Sequence, residues 1–377
     1  MAINNGLPDP PAWHRRLASQ AAKGLWRQPA LRPAGFADFC SNDFLGLAHQ
    51  AVVSPSSAGA TGSRLVSGLH TELIELEAWA AKWLGAERVV YFPTGYQANL
   101  AVLQALATRH DVFLLDERIH ASLRDAARLT LARTHFFNHN DEADLARWLA
   151  KPLPDGGQVY VVTEGVFSMA GTMAPLAGMA AICAQAGACL VIDEAHSVGL
   201  HGPAGSGLCI AQNVLPQVRI LPLGKAAGTQ GALVAGSAAL GHLLENFARP
   251  LIYSTAPAPV LVSSALAQLQ SLANADALRV RLSHQIEKAS QIWPNALPGC
   301  IVPVAPRDPA AWPGLITAAH QARLWVRPIR YPTVPKGEEC LRITLHAYQT
   351  DEELQRLEGW AKAFDIQPIP IATMRPC

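Results

Sequence analysis

The chain has 377 residues, of which 50% are hydrophobic and 16% are charged, and its formal net charge is +1. Such a composition excludes a disordered chain, and the length predicts two domains, or one large domain with a smaller one attached. The near-zero charge without a long basic run argues against a nucleic-acid partner and against an acidic membrane surface.

Seven cysteines are scattered along the sequence, and no two have C-x-x-C spacing. An odd number without paired spacing argues against a disulfide framework and a zinc site, and it favours a reducing compartment. Residues 1–16 lack the charged and then apolar order of a signal peptide, and no apolar run approaches the length of a membrane span. We therefore expect a cytoplasmic protein with no membrane contact and no metal.

The first part of the chain predicts an α/β domain. Residues 1–36 are predicted to form a helix, from about Pro11 to Trp26, and a linker. The strands predicted after them are 86–92, 112–115, 158–163, 189–193 and 218–223, and the helices between them are 96–108, 122–131 and 176–186. Short apolar runs that alternate with helices are typical of a mostly parallel sheet covered on both faces. We assign residues 37–272 to this large domain.

The pattern changes after residue 272. A helix at 276–292 is followed by separate predicted strands at 300–304, 324–327 and 340–345, and by a last helix at 351–364. Strands that no longer alternate with helices indicate an α+β arrangement. We predict a smaller C-terminal α+β domain over residues 273–377.

Ligands of open α/β sheets bind at the carboxyl ends of the strands. The strand that ends at Phe92 is followed by Thr94, which can cap a helix beginning near Tyr96. The free N–H groups and the positive dipole end of such a helix suit a phosphate. A turn that only caps a helix explains the same residues.

Two other strand ends deliver chemically useful side chains. The strand 189–193 ends at Asp193, which could hold a cationic ligand atom or could serve as a helix cap or ion-pair partner. The strand 218–223 is followed by Gly224 and Lys225 in a turn of small residues. A buried lysine can act as an amine nucleophile towards a carbonyl, although a surface lysine remains the alternative.

These parts together fit pyridoxal 5′-phosphate (PLP). PLP needs a lysine for its aldehyde, a carboxylate for its pyridinium nitrogen and a helix N-terminus for its phosphate. His120 follows a further strand end and could stack on the ring, although an isolated histidine is more often structural. The combination therefore predicts a PLP site that includes Lys225, Asp193 and His120.

At these residues the chain resembles the α-oxoamine synthases, which are PLP enzymes with the fold of type I aminotransferases. The resemblance runs from about Cys40 to Trp360. Its motifs, in chain order, are CSNDFLGL (40–47), GSRLVSGLHTELIELE (62–77), PTGYQAN (93–99), DERIHASL (116–123), FNHND (137–141), TEGVFSMAG (163–171), VIDEAHSVG (191–199), LGKAAG (223–228) and YST (253–255). The implied fold is a PLP-dependent transferase with a large, mostly parallel sheet domain and a smaller C-terminal α+β domain.

The resemblance implies roles for four residues around the cofactor ring. Lys225 matches the lysine that forms an imine bond with PLP and later moves protons. Asp193 matches the aspartate that bonds the ring nitrogen. His196 matches the histidine that bonds the 3′-oxygen of the ring, and His120 matches the histidine that stacks on it.

Further roles follow from the same resemblance. Gly95 and Tyr96 match the backbone donors to the phosphate. Thr255 resembles a residue that reaches the phosphate from the partner subunit, which implies an obligate homodimer with a shared active site. Ser168 matches a residue near the cofactor and Asn42 one near the substrate.

Arg342 is the candidate for binding the carboxylate of the amino acid. The alternative is an ordinary arginine of a strand.

Residues 139–149, 247–255 and 329–337 are similar to the family member of biotin biosynthesis. The implied reaction joins L-alanine to a pimeloyl thioester, carried by coenzyme A or by acyl carrier protein, with loss of carbon dioxide. The alternatives are members that use glycine or serine, of the glycine C-acetyltransferase, 5-aminolevulinate synthase or serine palmitoyltransferase type.

Three positions depart from the family pattern. Pro222 stands where a threonine usually contacts the phosphate, and it has neither a hydroxyl nor an N–H group. Ala170 replaces an aspartate. The segment 53–60, where the acyl substrate is expected to enter, is shorter than usual.

Two other classes of function are less consistent with the sequence. Residues 193–196 spell the DEAH box of helicases, but that box needs a G-x-x-x-x-G-K-[ST] loop, and Leu208 and Cys209 follow the glycines at 202 and 207. A non-catalytic scaffold subunit would lack the lysine, which is present at position 225.

Overall fold

The computed structural model describes residues 11–25, 30–49, 56–151, 157–331, 334–335, 337–370 and 373–374. Residues 1–10 and 26–29 of the predicted N-terminal segment lie outside the described residues. So do residues 53–55 of the shortened segment and three positions of the 329–337 motif.

The helices and strands follow in chain order. The helices are α1 (Pro11–Ala22), α2 (Thr71–Leu84), α3 (Gly95–Leu106), α4 (Ala121–Arg128), α5 (Glu142–Leu149), α6 (Leu176–Ala186), α7 (Leu208–Ala211), α8 (Ala238–Phe247), α9 (Arg249–Ile252), α10 (Pro259–Ala273), α11 (Asp276–Ile292), α12 (Trp312–Gln321) and α13 (Asp351–Ala363). The strands are β1 (Ala37–Asp38), β2 (Arg88–Phe92), β3 (Val112–Asp116), β4 (Arg133–Phe137), β5 (Val159–Glu164), β6 (Cys189–Asp193), β7 (Val218–Pro222), β8 (Ala232–Gly236), β9 (Ile301–Pro306), β10 (Leu324–Trp325), β11 (Pro328–Ile329), β12 (Cys340–Thr344) and β13 (Ile366–Pro368).

The large sheet has seven strands in the order β2-β8-β7-β6-β5-β3-β4. Strand β8 pairs antiparallel with both neighbours, and the remaining pairs are parallel. The prediction of a mostly parallel sheet is therefore confirmed. Because strand side chains alternate between faces, Val90 and Phe92 pack against α3, whereas Val89 and Tyr91 join a second core cluster with Leu76 of α2.

The smaller sheet is antiparallel, with the order β11-β12-β9-β13. Strand β1 pairs parallel with β10, and the backbone oxygens of Phe39 and Phe44 accept hydrogen bonds from Thr344 and Ala347. Residues 37–44, which we assigned to the large domain, thus hydrogen-bond with the C-terminal part of the chain. The domain boundaries at 36/37 and 272/273 remain predictions.

Candidate active site

A cavity of about 320 Å³ lies at the carboxyl ends of β5, β6 and β7 and at the start of α3. This is the edge of the sheet where a ligand was expected. Predicted site residues that line it are Asn42, Gly95, Tyr96, His120, Asp193 and Lys225. The fold therefore brings together the proposed amine, acid and ring partner from three strand ends.

Lys225 lies in the tight turn between β7 and β8. The turn closes with a hydrogen bond from Gly228 N to Lys225 O, and a side chain at Gly228 would begin 2.4 Å from the backbone nitrogen of Ala48. Burial lowers the pKa of Lys225, while the charges of Asp193 and Glu164 oppose this effect. The neutral amine is the nucleophilic form.

Asp193 ends β6 and is 3% exposed. Its Oδ1 accepts a hydrogen bond of 2.9 Å from the backbone nitrogen of Ala195, and its Oδ2 accepts one of 2.9 Å from Asn99 Nδ2. Both oxygens therefore have donors, which a buried carboxylate requires. Asp193 can present a fixed negative charge to a ring nitrogen.

His120 precedes α4 and caps it, since its Nδ1 accepts a hydrogen bond from Ser122 N. Its backbone nitrogen donates to Glu164 Oε1 over 2.6 Å. Burial lowers the pKa of His120, and the charge of Lys225 adds to this effect against the opposing charge of Asp193. A neutral imidazole therefore faces the cavity.

Glu164, which follows the predicted strand 158–163, was not among the predicted site residues. It lines the cavity, and it lies opposite Asp193 in the β5–β6 ladder. Burial first, and then the charge of Asp193, raise the pKa of Glu164 to about 8. Its position after an apolar strand beside that of Asp193 was the signal that could have found it.

The first turn of α3 forms another wall of the cavity. Thr94 Oγ1 caps the helix by accepting a hydrogen bond of 3.1 Å from Gln97 N, as the sequence predicted. A Cβ atom at Gly95 would lie 2.7 Å from Cβ and Cγ of Pro222, so that glycine allows β7 and α3 to meet. Gln97 N and Ala98 N both donate to Thr94, so the N–H groups left for an anion at this helix end are those of Gly95 and Tyr96.

The structure places Arg342 beside the cavity rather than in its lining. Its Nη2 donates to Asn42 Oδ1 over 2.9 Å, and its Nε donates to the backbone oxygen of Ser168. Burial lowers the pKa of Arg342 to about 10. Arg342 thus links two other predicted residues, of which Asn42 lines the cavity.

His196 and Thr255 also lie outside the set of residues that line this cavity. His196 is buried, lines a separate cavity of about 260 Å³, and its Nδ1 has no hydrogen-bond partner within the described ranges. Burial and the charge of Lys225 hold the pKa of His196 well below its usual value. Thr255 is exposed and forms an isolated β-bridge with Ser63. The roles predicted for both residues remain predictions.

The residues of the cavity fit PLP. An amine whose pKa is lowered, a carboxylate with both oxygens held, and a free helical turn surround one space. The buried Oδ1 of Asn99, a residue that lines the same cavity, lacks a partner in the described part of the chain and can accept a further hydrogen bond. The amine, the carboxylate and the helical turn are the groups that PLP requires for its aldehyde, ring nitrogen and phosphate.

The described residues also bear on two further features, a membrane span and a metal site. No described helix is long and apolar enough to cross a membrane. The described ranges also hold no group of three or more His, Cys, Asp or Glu side chains arranged to bind a metal ion.

The fold is that of the type I PLP-dependent transferases. Residues 35–358 match the family model for aminotransferase class I and II, and the chain belongs to this family. It is 37% identical over 366 residues to the 8-amino-7-oxononanoate synthase of Yersinia pestis (strain Pestoides F), an alignment that covers 93% of this chain and 94% of that protein. The corresponding protein of Yersinia enterocolitica is 38% identical over 360 residues, with 92% and 93% covered. The predicted resemblance is therefore confirmed.

Solved structures agree with this assignment. The serine palmitoyltransferase of Sphingomonas wittichii superposes with a TM-score of 0.82 at 26% identity, covering 94% of this chain and 97% of that one. The 8-amino-7-oxononanoate synthase of Francisella tularensis superposes with a TM-score of 0.74 at 28% identity, covering 88% and 99%.

Proposed function

We propose that the protein catalyses the PLP-dependent condensation of L-alanine with a pimeloyl thioester, which releases carbon dioxide and the free thiol carrier and yields 8-amino-7-oxononanoate for biotin biosynthesis. The observation that carries the proposal is the common cavity of Lys225, Asp193 and His120. The similarity to 8-amino-7-oxononanoate synthases over 93% of the chain supports the choice of substrates. The thiol carrier is coenzyme A or acyl carrier protein.

Bound PLP supplies an electron sink for the negative charge that develops at the Cα atom of alanine. Lys225 Nζ would hold the cofactor through its aldehyde and would accept the Cα proton of alanine, for which its lowered pKa suits it. Asp193 keeps the ring nitrogen protonated by favouring its charged form. His120 stacks on the ring, and His196 bonds its 3′-oxygen.

The backbone N–H groups of Gly95 and Tyr96 hold the phosphate, since the free donors of a helical turn and its dipole favour an anion. Arg342 binds the carboxylate of alanine, and its bonds to Asn42 and to the backbone of Ser168 fix the direction of its guanidinium group. Fixed groups of this kind can recover roughly 7–11 kcal/mol of a barrier through orientation.

The protein acts as a homodimer in which Thr255 of one subunit reaches the phosphate in the other. This assembly is supported by large apolar side chains that are exposed near Thr255, because such patches often mark protein–protein contacts. The side chains are those of Leu65, Val66, Leu69 and Tyr253. Together with Thr255 we call them the apolar face. The segment that carries Tyr253 and Thr255 adjoins the active site, because Gln97 of α3 donates a hydrogen bond of 2.7 Å to Pro250 O.

A cytoplasmic location is part of the proposal. The cysteines within the described ranges are free thiols. This is the state that a reducing compartment maintains.

The test begins with a spectral titration of the purified protein. The wild type is expected to bind PLP with visible absorbance, and to form product with L-alanine and pimeloyl-coenzyme A or pimeloyl-acyl carrier protein. Glycine and serine, each with pimeloyl, acetyl, succinyl and palmitoyl thioesters, test the other α-oxoamine synthase reactions. A higher kcat/KM for serine with a palmitoyl thioester would replace the proposed substrates, and absence of PLP binding would remove the proposal altogether.

Lys225→Ala is expected to abolish turnover and the visible absorbance while the thermal midpoint stays close to that of the wild type. Lys288→Ala is the matched control, because Lys288 lies on the surface and pairs with Asp351 over 2.5 Å. The control is expected to behave as the wild type. Unchanged absorbance in Lys225→Ala would take Lys225 out of its role.

A further inference from the structure

A buried amide connects the two sides of the cofactor cavity. Asn99 lies on the sheet-facing side of α3 and is 2% exposed. A buried amide without hydrogen bonds is costly, so its partners determine what it contributes. Asn99 Nδ2 donates to Ser122 Oγ over 2.8 Å and to Asp193 Oδ2 over 2.9 Å. One amide group therefore contacts the elements that carry His120 and Asp193.

The chemistry of the neighbours fixes the orientation of this amide. If the amide were flipped, Asn99 Oδ1 would face the carboxylate oxygen of Asp193, and the contact would join two acceptors. Nδ2 has two hydrogens, and the two partners use both. The carboxylate of Asp193 is thereby held on Oδ2 by Asn99 and on Oδ1 by the backbone of Ala195.

The same chain of bonds selects a tautomer of His120. The backbone nitrogen of Ser122 can only donate, and it lies 3.2 Å from His120 Nδ1, so that Nδ1 is an acceptor. Ser122 Oγ lies 2.7 Å from the same nitrogen, and it is free to donate its hydrogen there because it accepts from Asn99. Burial favours the neutral ring, whose single proton is then on Nε2.

We propose that Asn99 and Ser122 are positioning residues of the cofactor site: they hold His120 in the tautomer protonated on Nε2 and hold Asp193 Oδ2 for the ring nitrogen of PLP. We call this pair the Asn99–Ser122 bridge. It rests on the proposed function, since His120 and Asp193 are its proposed ring contacts. Through the bridge, the orientation of His120 on the face of the ring depends on Asp193 at the ring nitrogen.

The test compares Asn99→Asp, Ser122→Ala and Ser122→Thr with the wild type. Asn99→Asp keeps the shape of the side chain but removes both donors and adds a charge of the same sign beside Asp193. Ser122→Thr keeps the hydroxyl group and is the rescue variant. Ser264→Ala is the matched control, because it removes a hydroxyl that donates over 2.9 Å to Val260 O in α10.

Two quantities are measured on the full-length protein. The first is the dissociation constant of PLP, obtained by titration of the cofactor-free protein. The second is the pair of ring ¹⁵N shifts of His120, assigned by their loss in His120→Gln, which report the tautomer. Asn99→Asp is expected to weaken PLP binding by about 10-fold or more, because hydrogen bonds to a charged group are lost. Ser122→Ala is expected to mix the tautomers, whereas Ser122→Thr and Ser264→Ala keep the wild-type shifts.

The outcomes separate this inference from the proposed function. A wild type that binds no PLP overturns the proposed function, and the bridge with it. The bridge alone is overturned if the wild type binds PLP and the variants Asn99→Asp and Ser122→Ala behave as it does. In that case both variants keep the PLP affinity within about twofold and keep the ring shifts of His120. Should Ser122→Ala fail to fold, the shifts of Asn99→Asp decide, because this variant also removes the donor to Ser122 Oγ.

Discussion

At the scale of single residues, the cavity is lined by two buried carboxyl groups and one amine, which belong to Asp193, Glu164 and Lys225. Asp193 and Glu164 are neighbours in register at the ends of β6 and β5, and both affect the pKa of Lys225. Two adjacent acids in a buried site cannot both ionise without cost. The raised pKa of Glu164 favours its protonated form.

Stability of the cofactor-free protein should therefore depend on Glu164. Its pKa is raised from 4.5 to about 8 in the folded state, so the folded state keeps a proton that the unfolded state loses between these values. The free energy of unfolding then falls as pH rises through this window. Glu164→Gln should remove that fall, as measured by denaturant titrations at about pH 5 and about pH 8.

The partly exposed Glu358, which pairs with Lys362, supplies the control Glu358→Gln. Equal pH dependence in the wild type and Glu164→Gln would mean that Glu164 ionises normally.

Asp193 should matter for rate rather than for folding. Asp193→Asn keeps an acceptor for the backbone nitrogen of Ala195 but loses the negative charge that holds the ring nitrogen protonated. We expect kcat to fall by roughly 100-fold or more, since even two pKa units correspond to about 2.7 kcal/mol. Steady-state kinetics and thermal melting test this, with Asp276→Asn, on an 84% exposed side chain, as control. A near-normal kcat would contradict the proposed pairing.

Sequence reasoning found Lys225, Asp193 and His120 near strand ends, but it missed Glu164 and Asn99. Asp193 ends β6, Lys225 and His120 lie a few residues after β7 and β3, and the carboxyl ends of neighbouring parallel strands meet at one edge of a sheet. Asn99 is one of several polar residues in α3. Its role depends on contacts with Ser122 and Asp193, which lie 23 and 94 residues away along the chain. Contacts between residues so far apart in sequence depend on how the helices and strands pack, and no local sequence pattern predicts that packing.

At the scale of elements, several predicted bounds agree with the structure, and some strands were missed. The predicted bounds of α6, β6 and α11 agree with the structure. The helix predicted from about Pro11 to Trp26 corresponds to α1, which begins at Pro11 but already ends at Ala22. Strand β8 was not predicted, since ALVAG is short and ends in glycine; pairing with both β2 and β7 stabilises it.

The junction of α3 with β7 should be sensitive to one methyl group. In Gly95→Ala the new Cβ would lie 2.7 Å from two carbons of the rigid Pro222 ring, so the first turn of α3 must move. We expect a loss of stability of about 1–3 kcal/mol and PLP binding weakened by about 10-fold. Chemical denaturation and PLP titration measure the two effects.

Gly359→Ala in α13 is the matched control for this substitution, because no atom lies within 4 Å of its added Cβ. That control should raise stability by about 0.5–1 kcal/mol through helix propensity. Equal PLP affinity in Gly95→Ala and the wild type would show that the turn does not hold the phosphate.

At the scale of the whole molecule, the apolar face predicts the assembly. Val66 is 85% exposed and Tyr253 is 72% exposed, which is unusual for neighbouring large apolar side chains on a monomer. The wild type should sediment with twice the mass of one chain. Val66→Glu should shift it towards monomers and reduce activity together with PLP affinity, since the partner's Thr255 would be lost from each site.

Leu31→Glu is the control for that experiment, because Leu31 is 93% exposed and lies outside the apolar face. This variant should remain a dimer. A monomeric wild type with full activity would contradict the shared site.

The pairing of β1 with β10 also bears on how the protein is made. Ser41 Oγ lies 3.1 Å from His346 Nε2, a contact between residues 305 positions apart, and Asn42 meets Arg342 from a similar distance along the chain. During synthesis the strands of the large sheet, which end at Gly236, have all left the ribosome long before these partners exist. Ser41 and Asn42 can therefore meet His346 and Arg342 only when translation is nearly complete, so that a nascent chain forms these long-range contacts last.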